Sequence, residues 1–193
     1  DLTVLPVTKI FLVLSLAAII AGSVLAIGQT NIKRMLAYSS VGQIGYIVLG
    51  AALTNQRAMT GGLLHILNHA LMKGTLFLVV GSIVYKTGIE NISDMKGLGK
   101  KMPYTMAAFT IGALSMIGFP LTAGFVSKWY LALGALDAHM WYIIPVILTS
   151  SLLSAIYFWR VIEGIYFYKK SDSGFMMPEE RERGEAPAGM LIP

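Results

Sequence analysis

His65, His69 and Lys73 recur every four residues in the apolar run HILNHALMKGTLFLVV. On an α-helix that spacing gives one polar stripe. A second lysine, Lys128, lies in SMIGFPLTAGFVSKWYLAL. Ionisable groups are costly inside a bilayer. Where they occur they face a bundle interior or water and mark ion routes. Lysine out of water resists holding its charge, and histidine exchanges protons near neutral pH, so the four residues are candidates for a proton relay. The competing accounts are bland. Lys73 could snorkel to an interface. The histidines could stay neutral, bonded to Asn68 or a backbone carbonyl. Lys128 could anchor the chain beside Trp129 and Tyr130. A metal site is not expected: two histidines beside a lysine lack further ligands, and the cation would repel the metal.

Composition sets the class of element that must carry these groups. The chain has 193 residues, 55% of them hydrophobic and only 13% charged, with mean hydropathy +0.68. Soluble domains carry about twice that charge. An all-α integral membrane protein is expected. There is no cysteine, which excludes disulfides, iron–sulfur ligation and thiol chemistry. No phosphate loop, nucleophile elbow or cofactor motif occurs, so no cofactor is expected and any redox chemistry would belong to other subunits. No basic n-region precedes the first apolar run, against the pattern of a signal peptide.

Five apolar units follow one another, at roughly 7–27, 35–53, 61–85, 103–136 and 140–168. Most are near the ~20 residues that cross a bilayer. The fourth is too long for one straight span and contains Gly118, Pro120 and Gly124. Proline interrupts the helical ladder, so two half-helices joined over about Phe119–Ala123 are expected, with Lys128 one turn into the second. Such breaks are tolerated where they line protein or water; a kink without function is the alternative. The second unit's Ser39, Ser40, Gly42 and Gly45 suit close helix packing. The polar loop 86–102 spaces Ile89, Ile92, Met95 and Leu98 by three, and Pro103 fits a first helical turn. In the last unit Arg160 and Glu163 could pair, and Tyr157, Trp159, Tyr166 and Tyr168 read as interfacial anchors. His139 is expected at the surface.

The net charge of +5 is explained by loop placement rather than by nucleic acid. Lys33/Arg34, Lys86/Lys96/Lys100/Lys101 and Lys169/Lys170 fall on one side of the crossings. Lys9, Arg57 and the turn 137–139 fall on the other. The positive-inside rule then puts the N-terminal end outside and the tail in the cytoplasm of a cell (inner) membrane. Residues 1–168 form the transmembrane domain and 169–193 a polar cytoplasmic segment.

TNIKRMLAYSSVGQIGYIVLG, HILNHALMKGTLFLVVG and GFPLTAGFVSKWYLAL resemble the antiporter-like membrane subunits. That family comprises Mrp-type cation/proton antiporter subunits and the proton-pumping subunits of complex I and membrane-bound hydrogenases. The likeness covers about residues 10–170, and the Mrp D-subunit type looks nearest. It implies a fourteen-helix subunit with two inverted five-helix repeats, each with one broken helix. This chain matches the second repeat. The resemblance places His65, His69 and Lys73 on the family's central polar axis. It makes Lys128 the ionisable residue of the second broken helix and Lys33 a basic residue before LAYSS, either a further relay group or an inside-positive anchor. The glutamate–lysine pair of the family's first half has no counterpart here. EAPAGMLIP resembles the lead-in to the last helix. A piece of a longer chain or a split gene is expected, with other membrane subunits, and with a polypeptide supplying the first half if the gene is split. The implied function is proton conduction in a monovalent cation (Na+)/proton antiporter. The alternatives are a pumping subunit of a complex I-like oxidoreductase or membrane-bound hydrogenase, in which this chain would carry no redox step, and a non-conducting scaffold.

Overall fold

In a computed structural model of the protein, residues 6–167 are described. The chain is all-helical: α1 (Pro6–Ile27), α2 (Ile32–Ala52), α3 (Gln56–Thr87), a 3₁₀ turn (Ile92–Met95), α4 (Leu98–Lys101), α5 (Pro103–Ile117), α6 (Ala123–Asp137) and α7 (Ile143–Phe167). Among the described residues α1, α2, α3 and α7 are long and apolar enough to cross a membrane. This is a multi-pass membrane fold. The tail expected to be polar and cytoplasmic, 169–193, lies outside the described residues, as does Tyr168.

Helix limits follow local chemistry. The Asn31 side chain accepts from the amides of Lys33 and Arg34, which starts α2, and Asn55 accepts from Ala58 to start α3. Both satisfy amides that a helix leaves open at its first turn. Gly88, at φ 72°, closes α3 in the left-handed conformation, and Pro103 opens α5. At 32 residues, α3 is about 48 Å long at the helical rise. That exceeds the sequence estimate of 61–85 because its polar first turn is helical too.

Packing relies on small residues. A Cβ at Gly22 would lie 2.4 Å from the Gly42 amide nitrogen, so α1 and α2 meet backbone to backbone. Gly50 faces Gly62 between α2 and α3 in the same way, and Gly134 of α6 sits against Ala58 of α3. One apolar core joins α3, α5 and α7 through Leu76, Phe109 and Phe158. A second joins α1, α2, α6 and α7 through Ile19, Tyr46, Leu131 and Ile147. Leu63, Leu67, Leu148 and Leu152 point outward, as an apolar belt facing lipid requires.

Two ends are defined by contacts between turns. At one, the Ile32 amide donates to the Glu90 carbonyl and the Ile92 amide to the Thr30 carbonyl, both at 2.9 Å. Lys33 pairs with Glu90 there at 2.7 Å. Ile92, Met95 and Leu98 are buried in the first core and Ile89 packs on it. The loop 86–102 is thus folded onto the bundle. At the other end Arg57 pairs with Asp137 at 2.9 Å, and Asn55 donates to the Gly134 carbonyl at 2.8 Å.

Two expectations in α7 are corrected. Arg160 does not pair with Glu163. It donates to the carbonyls of Ile27, the last residue of α1, and Gln29 just beyond it, because carbonyls at a helix end lack intrahelical partners. Tyr157 is no interfacial anchor: it is buried, and its hydroxyl donates to Ser154 at 3.2 Å. Trp159 and Tyr166 are exposed, and so is His139.

Candidate functional site

The polar residues of α3 are inside the bundle. His65 is fully buried and Lys73 is 7% exposed, while His69 is half-buried. The four-residue spacing holds the two imidazoles parallel, with centroids 6.5 Å apart. His69 Nε2 is buried without a hydrogen-bond partner.

His65 is held at both ring nitrogens. Nε2 lies 2.9 Å from Gln43 Oε1 on α2, and Nδ1 lies 2.8 Å from Ser127 Oγ on α6. With Gln43 accepting, Nε2 carries a proton. The Ser127 hydroxyl can donate to a neutral ring at Nδ1. It can equally accept from a charged ring while donating to the Gly124 carbonyl, 3.1 Å away. Both protonation states of His65 therefore have complete hydrogen bonding.

Lys73 Nζ donates to the Leu36 carbonyl and Ser39 Oγ on α2. It lies 5.8 Å from the Phe77 ring centroid. These contacts point it into the bundle, opposite to snorkelling.

Lys128 is placed by the interruption between α5 and α6. α5 ends at Ile117 with Gly118 at φ 86°, and α6 begins at Ala123. The non-helical residues are 118–122, one residue earlier than expected. Pro120 is exposed in this stretch, and Leu121 has φ 75°. The Met116 and Ile117 carbonyls lack helical partners, and Lys128 Nζ donates to them at 3.0 and 2.9 Å. Its third donor goes to Ser151 Oγ at 3.2 Å, and the ammonium sits 5.1 Å from the Tyr46 ring centroid. The negative end of the α5 dipole favours a cation there. A central lysine costs about 3 kcal/mol on insertion scales. Hydrogen bonds to charged groups contribute about 1.5–3 kcal/mol each, so three of them hold Lys128 in place. It is not an anchor beside Trp129 and Tyr130.

Glycines shape this corner. A Cβ at Gly118 would come within 3.1 Å of Lys128 Cδ. One at Gly124 would collide with the Ser115 carbonyl. Asn68 of α3 donates to the Ala123 carbonyl at 2.7 Å and pins the start of α6.

Lys33 stands apart from this row, at the surface in its pair with Glu90. The Lys33 and Asn31 hydrogen bonds and the Lys33 charge hold the Glu90 carboxyl below its ordinary pKa. Glu163 lines a cleft with Thr30, Ser93, Lys96 and Arg160, at the end where the loop 86–102 folds back. Among the described residues, neither Lys73 nor Lys128 forms an ion pair.

The interior is therefore a row of exchangeable groups, Lys73, His69, His65, Ser127 and Lys128, drawn from α3 and α6 and braced by α2 and α7. Residues 4–154 match the family described as "NADH:quinone oxidoreductase/Mrp antiporter, TM". The chain belongs to that family.

The family's relatives span several kinds of complex. NADH-quinone oxidoreductase subunit N of Desulforudis audaxviator is 51% identical over 183 residues, 92% of this chain and 36% of that protein. F(420)H(2) dehydrogenase subunit N of Methanosarcina mazei is 36% identical over 166 residues, 81% of this chain and 34% of its own length. Among solved structures, the Mrp complex from Dietzia matches with TM-score 0.81 and 32% identity over 85% of this chain and 31% of its own. An archaeal membrane-bound sulfane sulfur reductase matches with TM-score 0.81 and 34% identity over 86% of this chain and 34% of its own. The chain spans about a third of the length of these relatives.

Sequence reading did not assign Gln43, Ser127, Ser151 or Tyr46 to the site. Gln43 gave a signal, as an amide in an otherwise apolar span. Ser127 beside Lys128 gave none, because single serines are ordinary in membrane helices.

Proposed function

We propose that this chain is a proton-conducting membrane subunit of a multisubunit complex, moving protons between Lys73 and Lys128 through His69, His65 and Ser127. The observation that carries the reading is the buried row itself. Among the described residues the two lysines at its ends have no carboxylate partner, and a histidine bonded on both sides in either protonation state stands between them. A proton leaves Lys73, crosses to His69 and His65 by way of water, and passes the Ser127 hydroxyl. It reaches Lys128 at the α5 terminus, whose carbonyls are placed for an ammonium.

The architecture under this reading has five spans in residues 1–168, with α5 and α6 as halves of a discontinuous fourth. At 15 residues each, the halves are about 22 Å long, short of the ~30 Å hydrocarbon core. α5 starts beside the folded loop 86–102, and α6 finishes at the Arg57–Asp137 end. The polar segment 169–193 and the lysine-rich loops then face the cytoplasm, and the N-terminal end faces outside. The family's first half and neighbouring membrane subunits would come from sequence or chains beyond this one.

Identity to subunit N proteins favours a redox-driven complex, in which the electron chemistry belongs to other subunits. Monovalent cation (Na+)/proton antiport is the second reading, favoured by the Mrp complex match. The test replaces Lys73 with alanine in the whole complex, reconstituted in vesicles. Proton movement should fall at least tenfold with assembly unchanged. Ser39 already donates to the Leu36 carbonyl at 2.9 Å, so both lysine partners keep a bond. Wild-type proton movement would sink the proposal. A complex that comes apart would favour a scaffold role.

A further inference from the structure

The histidine row leaves a second set of buried groups unused. Ser39 Oγ, the acceptor of Lys73, interacts with the Tyr157 hydroxyl on α7. Tyr157 donates to Ser154 Oγ at 3.2 Å. One turn earlier on α7, Ser150 and Ser151 interact with the Tyr46 hydroxyl, and Ser151 accepts from Lys128. Ser39, Tyr157, Ser154, Ser150 and Tyr46 are all 2% exposed or less.

Packing alone does not require this arrangement. A serine in a membrane helix satisfies itself on a carbonyl of the preceding turn, as Ser154 does on the Ser150 carbonyl at 2.8 Å. A tyrosine needs one hydroxyl partner when buried. Tyr46 finds one in the Ile147 carbonyl at 3.3 Å, but Tyr157 donates to a serine hydroxyl instead, and the two ends of the set meet the two lysines. The one discontinuity lies between Ser154 and the Tyr46–Ser150–Ser151 group. Neighbouring turns on one helix face stand about 5–6 Å apart, a separation one water spans.

We propose that these hydroxyls form a second proton branch between Lys73 and Lys128, running along α7 and bypassing both histidines. The inference rests on the relay reading above. Once the Ser39 hydroxyl turns from the Leu36 carbonyl toward Tyr157, charged Lys73 gives a proton to Ser39 as Ser39 passes its own to Tyr157. Tyr157 passes its own to Ser154, and a bridging water carries the transfer to Ser151 and to neutral Lys128. One lysine ends neutral and the other charged, every hydroxyl regains one proton, and nothing is oxidised. Each hydroxyl then turns back before the next transfer.

The experiment uses the assembled complex in vesicles, with proton movement followed by a pH-sensitive dye in H₂O and D₂O. Tyr157→Phe, Ser154→Ala and His65→Gln are made singly, and each α7 variant is combined with His65→Gln. Two branches predict a twofold to fivefold loss for each single change and at least a twentyfold loss for each double. The solvent isotope effect should rise in His65→Gln, where the longer hydroxyl chain carries the flow. Doubles no slower than His65→Gln alone would overturn the branch. Ser154→Ala removes no ring and decides the matter if Tyr157→Phe assembles poorly. Wild-type rates in Lys73→Ala would instead remove the relay itself, a separate outcome.

Discussion

At the scale of single residues, the interior is governed by polar satisfaction. Gln43 illustrates it. Replacing it with leucine leaves His65 Nε2 buried without its acceptor at 2.9 Å. An unsatisfied buried donor costs about 1–3 kcal/mol. A lowered thermal midpoint of the purified complex in detergent is expected for Gln43→Leu, with a smaller drop for Gln43→Glu, which keeps an acceptor. Glu90 gives a pH dependence. Its folded pKa is depressed by Lys33 and Asn31, so the pair contributes stability above the unfolded value of about 4.3. That contribution is lost as pH falls through the folded pKa. Midpoints of wild type and Glu90→Gln should differ at pH 7 and converge as pH drops below 4; a constant difference would contradict the linkage.

At the scale of elements, the interruption between α5 and α6 matters most. Gly118 combines φ 86° with contact to the Lys128 side chain. Alanine there brings about 1–2 kcal/mol of left-handed strain and pushes Lys128 off the Met116 and Ile117 carbonyls. Gly118→Ala should therefore lose both stability and proton movement. Gly74 is helical with open space around it, so Gly74→Ala should be neutral or stabilising by up to about 1 kcal/mol. Equal stability loss in the two variants would refute this account of the break. The proline and glycines made an interruption legible in the sequence. The carbonyls that Lys128 would find there were not, because they become available only where α6 folds back past the end of α5.

At the scale of the whole molecule, the two sets of turns define opposite faces. The chain contains no cysteine, so single cysteines report sidedness directly. Ser93 and His139 are both exposed, one in the loop 86–102 and one beside the Arg57–Asp137 end. Under the proposed topology, a membrane-impermeant maleimide labels His139→Cys in intact cells and Ser93→Cys only in inverted vesicles. Labelling of both from one side would remove the five-span topology.

The sequence alone determined the membrane class, the interruption near Pro120 and the α3 stripe, whereas the helix starts at Asn31 and Asn55 came from the structure, ahead of the apolar units expected at about 35 and 61. The first three depend on local composition or on spacing within one element. Tertiary structure decided what those groups touch. It joined His65 to Gln43 and Ser127, put Lys73 on Ser39, and gave Lys128 the open end of α5. It moved Arg160 from Glu163 to the end of α1, and it buried Tyr157, which an aromatic cluster alone had placed at an interface. Periodicity fixes which face of a helix a side chain occupies. Only the packing of other helices against that face decides whether it meets lipid, a carbonyl or another hydroxyl.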